Sequence, residues 1–334
     1  MKRKVVQVVF IILIIAIAYF RISNDRNKPI KETRVALGTF VTINIQDKNK
    51  KNKTIIDSSF SLINKYEKQL SILTPNSEVS KINTSEKNEI QISSDVKNLI
   101  DESHKISELS NGAFDITIGA ILEKYDIVNK IMPDSNEIKN MLNLVDYKYL
   151  QTNSDTLIKK KKNIHLDLGG IAKGYIVDKV IEYLTSQGIQ YAAVNAGGDL
   201  FVLGNKKNDV WKIGIRHPRS EDEIFGEVSL KNMSIVTSGD YEQFFFVNGK
   251  RIHHILNPKT GFPADKSISA TVICPDATTA DALCTAIFVM GPQTGTSLIN
   301  NIENVEAIVI YEKNGKLQYK LSDDFKKYNF HCSE

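Results

Sequence analysis

Apolar positions in this chain recur with two periods, two and about 3.6, and their succession sets out a mixed architecture. Val35 to Ile45 (VALGTFVTINI) alternates and is rich in β-branched side chains, which predicts a strand. Ile56, Phe60, Ile63 and Leu70 fall at helical spacing, so residues 54–70 are expected as an amphipathic helix. A second helix is expected from about Ser94 to Ser110, opened by a serine cap and stopped at Asn111-Gly112, a left-handed end. Asn163 to Leu168 reads as a strand, after which Gly169-Gly170 opens a helix that runs to about Ser186 and closes at Gly188. Short strands are predicted at Tyr191–Asn195, Trp211–Arg216, Phe225–Leu230, Tyr241–Val247 and Ser267–Ile273. A helix from Thr278 to Met290, closed by Gly291, and a strand at Glu306–Tyr311 complete the pattern. Hairpin-like strands interrupted by helices predict an α+β fold with mixed, largely antiparallel sheets and packed helices, and exclude a doubly wound parallel sheet.

The first residues follow neither period. Met1-Lys-Arg-Lys4 precedes an uncharged apolar run, Val5 to Phe20, which directs a chain into a membrane with its basic end in the cytoplasm. The run is short for a span, but Ile22 extends it past Arg21, whose side chain can snorkel. Residues 1–22 are therefore expected as a signal anchor, with cleavage after Ala18 in Ala16-Ile17-Ala18 as the alternative. No cysteine follows the run, which excludes a lipoprotein-type anchor. Residues 23–33 are expected as a polar tether, and 34–330 as one folded body on the extracytoplasmic side of the cell membrane.

Composition adds little beyond size. The 334 residues, 42% of them apolar, suffice for one large core, and a formal charge of +4 spread along the chain calls for no nucleic acid. The one basic run, Lys159 to Lys162, reads as the solvated turn of a hairpin. Cys274, Cys284 and Cys332 lack CxxC spacing and no HExxH is present, so a zinc centre is not expected; Cys274 and Cys284 read as buried thiols rather than a disulfide.

Four segments concentrate chemistry. In LDLGGIAKGYIVDK, Leu166 to Lys179, an acid and two glycines lead into a helix with Lys173 in its first turn; such a start suits a phosphate, or needs the glycines only to turn. NAGGDL, Asn195 to Leu200, repeats the arrangement of paired glycines and an acid. In ATTADALCTAIFVMG, Asp281 and Thr285 are four apart on one helical face, two hard oxygens of the kind Mg²⁺ takes from protein. The bland alternative has Asp281 on the helix dipole and Thr285 bonded back to its own backbone. In RIHHILNPKTGFPA, His253 and His254 point to opposite faces of a strand, so only one of them faces a site.

Taken in order, these segments with ALGT (36–39), PNSEVSKIN (75–83), GAFDIT (112–117) and SGDYEQFF (238–245) resemble the FAD:protein FMN transferase family, the ApbE family, over about residues 35–312. The resemblance implies a single catalytic body related to the T-fold, with FAD as substrate and Mg²⁺ as cofactor. It also implies transfer of FMN, through a phosphoester, to a Thr or Ser of a target flavoprotein, with AMP leaving. Carried over by position, Leu37, Leu73, Ala113, Phe114, Asp115, Asp167, Lys173 and Ile255 would contact FAD. Gly170, through its carbonyl, Asp281 and Thr285 would hold the metal, and His254 and Lys173 would act in catalysis. Leu37 and Leu73 replace a usual methionine and a usual aromatic, and Asn257 replaces the usual aspartate of the histidine block, which removes a charge near His254. An FAD-binding protein and an Mg²⁺-dependent FAD pyrophosphatase remain as alternatives on these residues.

Overall fold

The computed structural model describes residues 29–47, 50–206 and 209–333; the expected membrane segment, 1–22, and most of the tether lie outside the described residues. Its frame is an eight-stranded sheet: β1 (Ile30–Ala36), β2 (Thr39–Ile45), β3 (Ala192–Ala196), β4 (Asp199–Leu203), β5 (Met233–Gly239), β6 (Ser269–Cys274), β7 (Glu306–Lys313) and β8 (Lys316–Leu321). The strands lie in space in their chain order and every neighbouring pair is antiparallel, so the sheet is one meander from which long excursions leave and return. The excursion between β2 and β3 carries three of the four long helices: α1 (Asn52–Leu70), α2 (Ser94–Leu109) and α3 (Ala172–Ser186). The fourth, α4 (Ala277–Met290), lies between β6 and β7.

The α+β, antiparallel expectation holds, and the reason is visible in burial. All six residues of β6 are buried because α4 covers one face of the sheet. The hairpin of strands Trp211–Arg216 and Ile224–Leu230 covers the other, sharing an apolar cluster with Ile235, Ile273 and Ile308. Helices α1, α2 and α4 match their predicted spans within two residues. Helix α2 is capped by Ser93, whose side chain accepts from Val96 N, and ends where Asn111 and Gly112 take φ of 52° and 74°.

Three expectations change. Val35–Ile45 is not one strand but the turn and second strand of a hairpin, with Ala36 opposite Thr39. Leu37 and Gly38, at φ 55° and 67°, form a two-residue turn of the primed kind, and Leu37 N is held by Glu67 Oε1 at 2.9 Å. Asn163–Leu168 runs extended without a strand ladder. The Asn83 side chain takes both backbone groups of Leu166, donating to its O at 2.9 Å and accepting from its N at 2.8 Å. That side chain, an isolated parallel bridge between His165 and Ile118, and a bond from Asp167 N to Ile116 O at 2.7 Å take the place of a strand ladder. Lys159 is no part of a solvated turn: it ends the strand Thr156–Lys159, is buried, and donates to Ile82 O and Ser85 O at 3.0 Å each. There its ammonium serves the carbonyls at the end of the helix Glu78–Thr84, while burial lowers its pKa. The three cysteines are free, Cys274 and Cys284 buried. Among the described residues no helix is long and apolar enough to cross a membrane.

Candidate active site

Two helices define the site by crossing closely. A Cβ on Gly174 would stand 2.1 Å from Ala277 O, so α3 can approach the start of α4 only with glycine at that position. Four residues on, the Asp178 carboxylate reaches across and accepts from Ala277 N and Thr278 N at 2.8 Å each and from Thr278 Oγ1 at 2.5 Å. Burial pushes Asp178 up to about 6 although these donors favour its charge. The α4 start is thereby capped twice, by its own Asp276 and by α3, which sets one helix in register against the other.

That register brings three charges together. Lys173 Nζ lies 2.8 Å from Asp199 Oδ2 and 3.4 and 3.5 Å from the two oxygens of Asp281. Asp281 Oδ2 also accepts from Gly174 N at 3.1 Å. Asp199 and Asp281 are buried, at 1% and 2% exposure, whereas a third of the Lys173 side chain remains open. Burial alone would lower the lysine pKa, but the Asp199 and Asp281 charges outweigh it and hold Lys173 above its usual range. Burial and the Asp281 charge push the Asp199 pKa up, and the Lys173 ammonium pulls it back down. Two carboxylates around one ammonium leave an excess of negative charge in a buried place, and a further cation would relieve it. The start of α3 is largely spent on the protein itself, since Ile171 N and Ala172 N bond to Leu168 O and Gly174 N to Asp281.

Asp281 and Thr285 do share a face of α4, and that face looks onto the glycine turn. A Cβ on Gly170 would lie 3.1 Å from Thr285 Oγ1 and 3.2 Å from a ring carbon of Phe114. Neither the Thr285 hydroxyl nor the Gly170 carbonyl has a hydrogen-bond partner among the described residues, so Thr285 does not bond back to its own helix. One carboxylate, one hydroxyl and one carbonyl make a hard, all-oxygen set, which fits Mg²⁺ and its habit of taking few protein ligands. Among the described residues no group of three or more His, Cys, Asp or Glu is placed to hold a metal, and this set includes only one of those types.

The two histidines part as the strand predicts. His253 is buried, with Nε2 2.9 Å from Ala264 O and Nδ1 accepting from Ile255 N at 3.3 Å, and its ring stands edge-on to Phe288. His254 is half-buried. Its Nδ1 lies 3.3 Å from Gln243 O, a carbonyl that can only accept, so the proton sits on Nδ1 and the Nε2 lone pair is free. Burial holds its pKa down at about 4, and the charges of His253 and Lys173 push the same way, against the Gln243 carbonyl. The Asn257 side chain serves its own loop, accepting from Lys259 N at 3.0 Å.

The remaining predicted contacts distribute unevenly. Ala113 and Phe114 are buried, Phe114 against Gly170. Asp115 accepts from Thr117 N, Thr117 Oγ1 and Tyr147 N at 2.7–2.8 Å, so its carboxylate folds the GAFD loop, and burial raises its pKa. That loop and the one after His254 wall a cleft of about 340 Å³ lined by Gly112, Asp115, Tyr147, Pro258 and Lys259. Asp167 bonds Gly169 N at 2.7 Å, an Asx turn that opens the glycine pair, and burial raises its pKa. Ile255 is buried in the main core with both backbone groups engaged, and Leu37 packs at the edge of that core. Leu73 stands apart, 87% exposed in the loop 71–77 and outside every apolar cluster. Residue-by-residue matching missed Asp199 and Asp178, although the NAGGDL and LDLGGIAKGYIVDK blocks contain them.

The molecule is a single antiparallel α+β body whose polar site, a lysine between two carboxylates, lies at a helix crossing. Residues 37–309 match the model of the ApbE family, and the chain belongs to that family. It is 33% identical over 258 residues to a FAD:protein FMN transferase of Klebsiella pneumoniae, covering 75% of this chain and 80% of the relative. To a Treponema pallidum protein of the same name it is 34% identical over 233 residues, 64% of each. Among solved structures, the ApbE protein of Thermotoga maritima superposes with a TM-score of 0.82 at 32% identity, over 90% of this chain and 99% of that one. The flavin transferase ApbE of Vibrio cholerae does so with a TM-score of 0.79 at 27% identity, with the same coverage.

Proposed function

We propose that this chain moves the FMN half of FAD onto a hydroxyl of a target flavoprotein, with Mg²⁺ and with release of AMP. Membership of the ApbE family and relatives named FAD:protein FMN transferase support the transferase activity, with FAD as substrate and a flavoprotein as acceptor. The observation that carries the finer reading is the convergence of Asp281, Thr285 and Gly170 beside the Lys173 ammonium. Asp281, Thr285 and the Gly170 carbonyl would hold Mg²⁺, which supplies Lewis-acid polarisation of the pyrophosphate and a template for it. The Gly174 amide fixes the Asp281 carboxylate, and Lys173, its open surface toward ligand, offsets charge developing on phosphoryl oxygens. His254 Nε2 takes the proton of the acceptor hydroxyl as its oxygen bonds to the FMN-side phosphorus; the bond from that phosphorus to the bridging oxygen breaks, and AMP departs with it.

Chelation tests the metal directly. EDTA is expected to stop transfer and added Mg²⁺ to restore it; transfer that continues in a metal-free, chelated sample would place the chemistry on protein groups alone. The body is further proposed to stand on the extracytoplasmic side, held by residues 1–22, because the Lys-Arg-Lys cluster precedes the apolar run. Protease added to intact cells should then remove the body, whereas a soluble exported form beginning at Tyr19 would establish cleavage instead.

A further inference from the structure

Asp199 enters the site from the sheet rather than from either helix. Gly197 and Gly198, at φ 64° and 107°, turn β3 into β4, and Gly198 N is steadied by Asn195 Oδ1 at 3.0 Å. The tight turn leaves Asp199 as the first residue of β4, 1% exposed. A carboxylate so deeply buried needs a partner, and it has one: Lys173 Nζ at 2.8 Å. The distances then rank the ammonium's attachments. At 3.4 and 3.5 Å its contacts with Asp281 are at the weak limit of hydrogen bonding, so its strong bond is to Asp199. Remove Asp199, and Asp281 is the one carboxylate left within reach of that ammonium, which would close on it. An ammonium bonded to Asp281 competes for the oxygen that a divalent cation needs.

We propose that Asp199 is a positioning residue: it draws the Lys173 ammonium off Asp281, leaving Asp281 open to Mg²⁺ and Lys173 turned toward the substrate phosphates. The proposal rests on the reading of Asp281 as a metal ligand. It also explains how a lysine and a metal-binding carboxylate can share one buried corner without neutralising each other. Asp199 forms no part of the metal's own ligand set and acts through Lys173.

The test is calorimetric titration of Mg²⁺ into the full-length protein held with FAD, with a thermal melt to verify folding. Asp199→Asn, isosteric but uncharged, is expected to weaken Mg²⁺ binding by about 10-fold or more. In a Lys173→Met background the same change should cost about 3-fold or less, because no ammonium remains to be misplaced; neighbours coupled in this way give non-additive effects. Wild-type Mg²⁺ affinity in Asp199→Asn overturns the proposal. So does an equal loss in both backgrounds, which would mark Asp199 as a remote charge or a structural support. Should Asp199→Asn alone not fold, the double variant carries the test, and a 10-fold loss relative to Lys173→Met alone is again contrary. Asp281→Ala, titrated alongside, separates the two layers: normal Mg²⁺ binding there removes the metal site itself, whereas lost binding there with no Lys173-dependent effect of Asp199 removes only its positioning role.

Discussion

Asp281→Ala should lower FMN transfer by roughly 10³-fold or more, the several kcal/mol of charge stabilisation that a catalytic metal supplies. The structure qualifies how the variant must be read. Asp281 is buried and also holds Gly174 N, so the alanine form leaves a buried amide unpaired, at a cost of about 1–3 kcal/mol in stability. Lys173 keeps Asp199 as its partner, so no buried charge is stranded and the fold should persist. Asp281→Asn is the cleaner companion, since its side-chain oxygen can still accept from Gly174 N while the charge is gone. Both variants should lose transfer and Mg²⁺ dependence together, measured as initial rates against Mg²⁺ concentration. Wild-type rates with an unchanged Mg²⁺ requirement would put the metal elsewhere.

His254→Ala should lose transfer by roughly 10²–10⁴-fold, the scale of general-base catalysis, while binding FAD and Mg²⁺ nearly normally. The motive is the free Nε2 lone pair, fixed by the Nδ1 contact with Gln243 O, in a ring whose pKa already responds to the Lys173 charge. Because burial holds His254 near 4, below the ordinary 6.5, the ring is neutral and able to accept a proton above that value. The acid limb of kcat is therefore expected near pH 4, rate falling as pH falls through it, and not near 6.5. Asn257→Asp should leave that limb in place, because position 257 spends its side chain on Lys259 N. His253→Ala fails differently. It deletes a buried ring with two hydrogen bonds and an edge contact to Phe288, so it should cost stability, about 2–4 kcal/mol, ahead of chemistry. Single-turnover rates and FAD titrations on both variants separate the two; equal rates for His254→Ala and wild type remove the assignment.

How much of this was legible beforehand depended on whether a feature is local. Helices α1, α2 and α4 carry their own periodicity and end signals, so their spans were readable from residues a few positions apart. The Asp281–Thr285 pairing and the division of His253 from His254 follow from helix and strand periods, and both stand in the structure. The hairpin at Leu37-Gly38 was hidden because alternation passes through a two-residue turn without a break in pattern. The segment 163–168 carries strand-like residues, but its partners are the Asn83 side chain, 83 positions away, and the backbone of Ile116 and Ile118, which no local window contains. Asp199 was missed for the same reason. Its meaning lies in a lysine 26 positions earlier and a carboxylate contributed by a third element, and only the meander brings the three together. Lys159 looked like one of four solvated lysines until the end of a short helix claimed it.

The most direct measurement is the product balance when the full-length protein, FAD, Mg²⁺ and a purified candidate acceptor flavoprotein react together. One AMP should appear for each acceptor that gains the mass of FMN, and the labelled peptide should carry the flavin on a Thr or Ser. AMP released with an equal amount of free FMN and no labelled acceptor, repeated across acceptors, would contradict transfer and leave a pyrophosphatase in its place.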